Sequence, residues 1–138
     1  MQHFKIVMAL IEQGNNYLLQ LRNGQQQAGG LNLVGCFGGQ IEDGETPEQA
    51  LIREVAEESS LHLQTADLEH IGTVRVRSER HNKPITVDAL IYRTMIPRPT
   101  KVEAREGELV LWTEEEVRYK LAKLTPATRA CFEQLIWK

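Results

Sequence analysis

One helix, predicted between residues 46 and 59, constrains the fold of this chain more than any other segment. Thr46 has the position of an N-cap, Pro47 suits the first helical turn, and Gln49 completes a Thr-x-x-Gln capping box. The apolar residues that follow share one face of the helix: Leu51, Ile52 and Val55. That face predicts packing against a sheet.

Strand signals flank the helix on both sides. Runs of β-branched and apolar residues predict strands at 4–11, 17–21, 31–37, 68–77, 85–95 and 109–112. The pair Gly38-Gly39 is expected to end the third strand, and the polar segment 78–83 to separate the fourth from the fifth. Residues 23–30 predict an exposed loop, and Pro97 and Pro99 interrupt regular structure.

Two further helices close the chain. Thr113 opens one that is expected to run to about residue 122, and Thr125-Pro126 opens a last one to about residue 137. The order of strands and helices predicts a single α/β domain over residues 1–138, built as a sandwich with a mixed sheet.

Composition excludes several other classes of protein. Of the 138 residues, 41% are hydrophobic and 25% charged, as in one globular domain. A net charge of −3 gives no general attraction to nucleic acids or membranes. Cys36 and Cys131 lack metal-ligand spacing and predict reduced thiols, with a single disulfide between them as the alternative. With neither a signal-peptide pattern nor a long apolar run, we expect a cytoplasmic protein, as a monomer or homodimer.

Three glutamates form a second, acidic face of the predicted helix. Glu54, Glu57 and Glu58 stand at i, i+3 and i+4, where like charges repel by roughly 0.2–0.5 kcal/mol per pair. A solvated acidic face beside Arg53 is one interpretation. A divalent cation is the other, because Mg²⁺ prefers carboxylate oxygens and completes its shell with water and phosphates. The glycines before the helix and Glu45, which can reach back to Arg53, favour the cation.

The spacing over residues 39–61 resembles the Nudix box. That box reads Gly, five residues, Glu, seven residues, Arg-Glu, an aliphatic residue, any residue, Glu-Glu, any residue, Gly and an aliphatic residue. The chain matches it at eight positions: Gly39, Glu45, Arg53, Glu54, Val55, Glu57, Glu58 and Leu61. Ser60 stands where the family has Gly.

The resemblance implies both a fold and a set of roles. The fold is the Nudix α/β/α sandwich, and the cofactor is Mg²⁺, with Mn²⁺ as an alternative. The metal ligands implied are Glu54, Glu57, Glu58 and the carbonyl of Gly39. Glu45 and Arg53 are implied as an ion pair that holds the loop to the helix.

The activity implied is hydrolysis of the diphosphate linkage in a nucleoside diphosphate derivative, a small-molecule nucleotide. The small size of the chain favours a (d)NTP or a related nucleotide as substrate. A non-catalytic, nucleotide-binding regulatory module on the same fold is the alternative, and a purely structural acidic-helix domain is a third. Because every box carboxylate is present, we favour the enzyme.

Ser60 is the one departure from the box. The box glycine follows the helix end, where a positive φ is often required, so a serine is expected to cost about 1 kcal/mol there. Since serine removes no ligand, Ser60→Gly is expected to leave the turnover number unchanged.

Hydrolysis also needs a group that takes the proton of the attacking water. Glu57 is one candidate by resemblance. The others lie in the acidic segment before the last strand, among Glu103, Glu106 and Glu108, of which we favour Glu106 or Glu108. An exposed acidic loop explains each of them equally well.

Substrate-binding residues are less well specified by the sequence. Arg75 and Arg77 alternate onto one face of a predicted strand and are candidates for holding phosphates, although a solvated face explains them equally well. Phe37 and Trp112 are candidates for stacking a base, with the core as their alternative. The remaining candidates show no ligand spacing: His62, His70 and His81.

Overall fold

A computed structural model describes residues 1–22, 32–97 and 100–138. Within these ranges seven strands form one mixed sheet. The strands are β1 Gln2–Gln13, β2 Asn16–Leu21, β3 Val34–Gly35, β4 Phe37–Gln40, β5 Glu69–Arg80, β6 Lys83–Ile96 and β7 Glu108–Thr113. The central strand β1 pairs in parallel with β6 along its whole length, and antiparallel with β4 and β2 on its other edge. β5 extends the sheet beyond β6, while β3 and β7 pair with β2.

Apolar side chains cover both faces of this sheet because successive residues of β1 point to opposite sides. Val7 and Ala9 meet the apolar face of helix α1, Pro47–Glu58, on one side. Met8 and Leu10 lie on the other side, under α2, Glu114–Tyr119, and α3, Pro126–Cys131. The α/β/α sandwich predicted from the sequence is therefore confirmed.

Helix α1 begins where its capping box predicts. The Thr46 hydroxyl accepts the Gln49 backbone N–H at 3.1 Å, and the Gln49 side chain accepts the Thr46 N–H at 3.0 Å. Leu51 on its inner face is fully buried, so truncating it to alanine would cost about 2–5 kcal/mol. The N-terminus of the acidic helix is thus fixed by local hydrogen bonds, and its orientation by the core.

The two C-terminal helices differ from the prediction in length. α2 has the expected capping box between Thr113 and Glu116 but ends at Tyr119, and a 3₁₀ turn, Leu121–Lys123, follows it. At the start of α3, the Thr125 hydroxyl donates to Thr128 and caps no helical N–H. α3 then continues directly into a π-helical turn, Phe132–Ile136.

The polar segment 78–83 does not separate two strands as predicted. β5 and β6 pair up to Arg80 and Lys83, and only His81 and Asn82 form the turn. Both turn residues have positive φ, 54° and 62°, which matches the two-residue type I′ turn favoured by twisted hairpins. Polar residues can continue these strands because the tip of a hairpin meets water on one face.

The pair Gly38-Gly39 is also placed differently from the prediction, because it lies inside β4 and pairs with Met8 and Val7. The predicted loop at 23–30, the beginning of the third predicted strand at residue 31, and Pro99 lie outside the described ranges. In the described parts of the chain, no helix has the length and apolar character needed to cross a bilayer.

Candidate active site

Glu45 and Arg53 form a two-pronged ion pair between the loop after β4 and helix α1. Arg53 Nε donates to Glu45 Oε2 at 2.7 Å, and Nη2 donates to Glu45 Oε1 at 2.9 Å. Nη2 also donates to the Gln40 carbonyl at 3.1 Å. These hydrogen bonds lower the pKa of Glu45 to about 2 and raise that of Arg53. The structure brings together the pair that the box resemblance implies.

Two box carboxylates lie in the narrow space between α1 and β4. Glu58 is 6% exposed, and its Oε1 accepts the Gly38 N–H at 2.9 Å. Glu54, whose side chain is 18% exposed, faces Gly39 so closely that a Cβ on that glycine would lie 2.4 Å from its carboxyl carbon. A side chain at position 39 would collide with the Glu54 carboxylate where it now lies. The β4 backbone therefore lies directly against the carboxylates of both Glu54 and Glu58.

Burial raises the pKa of both acids. Desolvation raises the pKa of Glu58 to about 8, with further increases from Glu54 and Glu106, against the opposing effects of the Gly38 N–H and Arg22. Desolvation also raises the pKa of Glu54, while Arg53 opposes this rise. In the absence of a metal, burial therefore opposes the ionised form of both carboxylates.

The chemistry of these groups fits a divalent cation. Carboxylate and carbonyl oxygens are the ligands Mg²⁺ prefers, and a cation would relieve the unfavourable charge on Glu54 and Glu58. In the described residues, no three His, Cys, Asp or Glu side chains converge as they would around an ion. Glu57, the third implied ligand, is 53% exposed and directs its carboxylate toward Arg53 Nη1 at 3.3 Å. To bind an ion together with Glu54 and Glu58, the Glu57 carboxylate would have to break its hydrogen bond with Arg53.

A strap of chain formed by residues 103–106 runs across the C-terminus of α1. The backbone N–H groups of Arg105 and Glu106 both donate to the Glu58 carbonyl, at 2.8 and 3.3 Å. Glu106 is therefore held by its backbone against the last residue of α1, whereas Glu108 begins β7 opposite Leu21. Of the two base candidates in this segment, Glu106 is the one with a hydrogen bond to a box residue, through its backbone.

Ser60 does not adopt the backbone conformation expected of the box glycine. Among the described non-glycine residues, positive φ occurs at Asn32, His81 and Asn82. The helix instead ends at Ser59 in an extended conformation, which forms an antiparallel bridge with Ala104. The expected strain at Ser60 is therefore absent, because the chain leaves α1 as a strand-like segment.

An open pocket of about 320 Å³ lies beside the carboxylates, on the other face of the sheet. Its edge is formed by Arg22 and by Gly38 to Gln40 of β4, the strand that also contacts Glu54 and Glu58. Its walls are mainly apolar side chains from β1, β5, β6 and the start of α3: Phe4, Ile6, Met8, Val76, Ile85, Val87, Pro126 and Ala127. A molecule in this pocket would reach the acids past the edge of β4.

Several predicted substrate residues lie away from this pocket. Arg75 pairs with Asp88 through two hydrogen bonds, at 2.7 and 2.9 Å, and Arg77 is exposed on the same side of β5. The pocket is lined instead by the alternate residues of β5, whose side chains point to the opposite face of the strand: Val76, Ser78 and Arg80. Phe37 is fully buried in the core under α1, and Trp112 lies beneath Lys120, whose Nζ is 4.9 Å from its ring.

The remaining histidines have separate environments. His62 is exposed, His70 lies 5.1 Å from the ring of Tyr92, and His81 is on the hairpin turn at the edge of the pocket. The two cysteines are buried free thiols, and desolvation raises the pKa of Cys36 to about 12.

Three residues around the site were not predicted from the sequence. Phe4 supplies the aromatic wall of the pocket, with the Arg80 guanidinium 4.7 Å from its ring centroid. Gln20 is buried in β2, and its Nε2 donates to the Glu106 carbonyl at 2.9 Å. Arg22 comes directly after the end of this strand, and its buried Nε has no partner among the described residues. Polar residues in the apolar run of β2 were the available signal, since buried polar groups need a reason.

Comparisons with known proteins identify the family and the fold of the chain. The family model described as NUDIX domain matches residues 2–135. The solution structure of the E. coli ORF135 protein is 27% identical with a TM-score of 0.66, and the match covers 96% of this chain and 88% of that one. Among curated proteins, none matches the chain.

Two more solved structures show the same fold at lower identity. The MutT protein from Methanosarcina mazei Go1 is 23% identical, with a TM-score of 0.76 and coverage of 96% of this chain and 92% of that one. The NUDIX domain of Shewanella oneidensis NrtR, solved in complex with ADP ribose, is 18% identical, with a TM-score of 0.70 and coverage of 96% and 84%. With the family model spanning nearly all of its residues, the chain belongs to the NUDIX family and is a Nudix-type pyrophosphohydrolase acting on a nucleoside diphosphate derivative.

Proposed function

We propose that this protein hydrolyses the diphosphate linkage of a (d)NTP or a related nucleotide in a Mg²⁺-dependent reaction, with Mn²⁺ as an alternative metal. The observation that carries the proposal is the position of β4 between two features. On one side, Gly38 and Gly39 contact the buried carboxylates of Glu58 and Glu54. On the other side, the same glycines edge a mainly apolar pocket of about 320 Å³. This arrangement suits a nucleoside in the pocket with its phosphates beside the acids.

The metal would be held by Glu54, Glu57, Glu58 and the Gly39 carbonyl. When bound, it supplies neutralisation of phosphate charge and lowers the pKa of a coordinated water. Arg53 positions Glu54 through a hydrogen bond of 2.9 Å from Nη1 to Oε1. The same guanidinium holds Glu57 until that carboxylate turns toward its neighbours.

Glu106 is proposed as the general base. It lies on the strap at the C-terminus of α1, where its backbone N–H donates to the Glu58 carbonyl, and its exposed side chain can meet water. The oxygen of the water attacks a phosphorus of the diphosphate, the bridging P–O bond breaks, and the water proton passes to Glu106. The leaving phosphate departs with the electron pair of the broken bond, and Glu106 returns its proton to solvent. Glu57 remains the second candidate for this role.

Pocket composition supports a nucleotide rather than a fully polar substrate. Phe4, Ile6 and Met8 offer apolar contact to a base or sugar, while Arg22 at the edge offers a positive charge to phosphates. The Shewanella oneidensis domain binds ADP ribose on the same fold. A nucleoside diphosphate group therefore has the size and chemistry that this type of domain accepts.

A nucleotide panel tests the proposal. Phosphate and pyrophosphate release would be measured for (d)NTPs, dinucleotides and nucleotide sugars with Mg²⁺, with Mn²⁺ and with EDTA. We expect turnover of at least one (d)NTP that Glu58→Gln lowers by about 100-fold or more and that Glu115→Gln, on the exposed side of α2, leaves intact. Binding of a nucleotide without turnover by the unmodified protein would instead support the regulatory module.

A further inference from the structure

The serine that replaces the box glycine is bonded to the strap that carries Glu106. The Ser60 hydroxyl accepts the backbone N–H of Glu103 at 2.8 Å, and the Ser60 N–H donates to the Glu103 carbonyl at 2.9 Å. The two residues thus form a closed pair of hydrogen bonds between the end of α1 and the start of the strap. A glycine would keep the second of these bonds and lose the first.

The strap is fastened at further points on both sides of Glu106. Arg105 donates its backbone N–H to the Glu58 carbonyl and its Nη1 to the Ala56 carbonyl, both at 2.8 Å. These bonds satisfy carbonyls at the C-terminus of α1 that have no partner within the helix. The Glu106 carbonyl accepts Gln20 Nε2 at 2.9 Å from β2. The residues that present Glu106 are therefore held by α1 on one side and by the sheet on the other.

Gly107 closes the strap with a turn that only glycine fits. Its φ is +63°, and a Cβ at this position would lie 2.4 Å from the Leu21 carbonyl oxygen. The chain therefore has little freedom to shift between Gly107 and Glu103. The position of Glu106 also depends on how firmly the other end of this short segment is held, and the Ser60 hydroxyl adds a side-chain hydrogen bond to the backbone bond that Ser60 and Glu103 already share.

We propose that Ser60 is a positioning residue that holds Glu106 at the C-terminus of α1, beside Glu58, by accepting the Glu103 N–H. This inference rests on the proposed function, since it takes Glu106 as the general base. It departs from the expectation that Ser60→Gly leaves the turnover number unchanged. Restoring the family's glycine is expected to impair this chain because its strap is built around a hydroxyl.

Three substitutions at one position separate the hydroxyl from the rest of the side chain. Ser60→Gly and Ser60→Ala remove the acceptor, while Ser60→Thr retains it. In metal-free protein, amide hydrogen exchange measured by NMR should show the Glu103 N–H exchanging about five- to tenfold faster in the Gly and Ala variants than in the Thr variant. This readout needs neither substrate nor metal.

Kinetics then test the consequence for the reaction. The kcat of the Gly and Ala variants should fall about five- to tenfold with KM changed less than twofold, and the Thr variant should recover most of the lost kcat. Should either variant fail to fold, Glu103→Pro removes the N–H donor instead of the acceptor, and we expect it to lower kcat by the same factor. Unchanged exchange at Glu103, or faster exchange with an unchanged kcat, would overturn the proposal.

The variant Glu106→Gln separates failure of this inference from failure of the proposed function. If Glu106→Gln retains full kcat, the base assignment is wrong and the positioning role of Ser60 is wrong with it. If Glu106→Gln is defective but Ser60→Gly and Ser60→Ala match the unmodified protein, the base assignment stands and only the positioning role of Ser60 is refuted.

Discussion

Arg53 and Glu45 face each other across the entrance to the carboxylate site, joined by hydrogen bonds from Nε at 2.7 Å and from Nη2 at 2.9 Å. The remaining guanidinium nitrogen, Nη1, donates to Glu54 at 2.9 Å. One side chain thus connects the loop after β4 with an acid that we expect to bind metal. The planar, five-donor shape of arginine is required for all of these contacts at once.

Arg53→Lys is therefore expected to impair the reaction although it conserves the charge. An ammonium group cannot make the paired bonds to Glu45 and also reach Glu54, so both acids lose their orientation. We expect kcat/KM to fall by about 10- to 100-fold, in the range found for residues that orient metal ligands. Arg129→Lys, at an exposed pair with Glu133 on the far helix, is the matched control. Equal activity of the two variants would show that the ion pair has no role in the site.

Helix α1 and its ion pair were predictable because the signals are local in sequence. The Thr46 and Gln49 capping box and the eight-residue spacing of Glu45 and Arg53 depend on a single turn and a single helix. The pocket was not predictable in the same way. Phe4 and Ala127 line one cavity only because α3 packs on the sheet against β5 and β6, which brings distant parts of the chain together. The apolar run at residues 4–11 predicted a strand that includes Phe4, but not what covers that side chain.

Glu58 gives the metal-free protein a pH-dependent stability of defined sign. Burial raises its pKa from 4.5 in the unfolded chain to about 8 in the fold, so the folded state holds a proton that the unfolded state releases. The contribution of this proton to the free energy of unfolding is fully present below pH 4.5 and is lost as the pH rises toward 8. We expect Tm, measured in EDTA, to fall between pH 5 and 8 in the unmodified protein and to be much flatter in Glu58→Gln.

Mg²⁺ supplies the control for this experiment. A bound cation favours the ionised carboxylate, so added Mg²⁺ should raise Tm more at pH 8 than at pH 5 in the unmodified protein. In the Glu58→Gln variant, added Mg²⁺ should change Tm only slightly at either pH. A Tm that rises with pH in EDTA, or an identical profile in the variant, would contradict the assignment of a neutral, buried Glu58.

The end of α1 shows how a family pattern can mislead about one residue. The box predicts a glycine and a left-handed turn after Ser59, whereas this chain continues in an extended conformation and bridges to Ala104. The strap that replaces the turn lies more than forty residues further along the sequence. No local signal links Ser60 to Glu103, so this contact required the three-dimensional structure.

Gly39→Ala tests the close approach of β4 to the acids. The added methyl group would lie 2.4–2.7 Å from the carboxylate atoms of Glu54, so Glu54 must move away while the backbone of the strand can stay. We expect the fold to persist and the affinity for Mg²⁺ to fall by about tenfold or more, measured by Mn²⁺ competition or calorimetry.

A double variant provides the check on the cause. Glu54→Asp shortens the acid by one methylene and relieves the contact, so adding Gly39→Ala to Glu54→Asp should cost less than adding it to the unmodified protein. If the two effects simply add, the proximity of Gly39 to Glu54 does not control metal binding.

Ala127→Leu tests whether the apolar pocket receives the nucleoside. Ala127 lies in the first turn of α3, is 8% exposed and lines the cavity of about 320 Å³. Three added carbon atoms would occupy space that the substrate needs, while Glu54, Glu58 and Glu106 on the other side of β4 stay in place. We therefore expect KM to rise by about tenfold or more with kcat reduced less than threefold.

Ala122→Leu, at an exposed position of the preceding 3₁₀ turn, is the control for a larger side chain. Tm would be measured for both variants, because overpacking costs about 1–3 kcal/mol of stability. A folded Ala127→Leu with unchanged KM would place the nucleoside elsewhere.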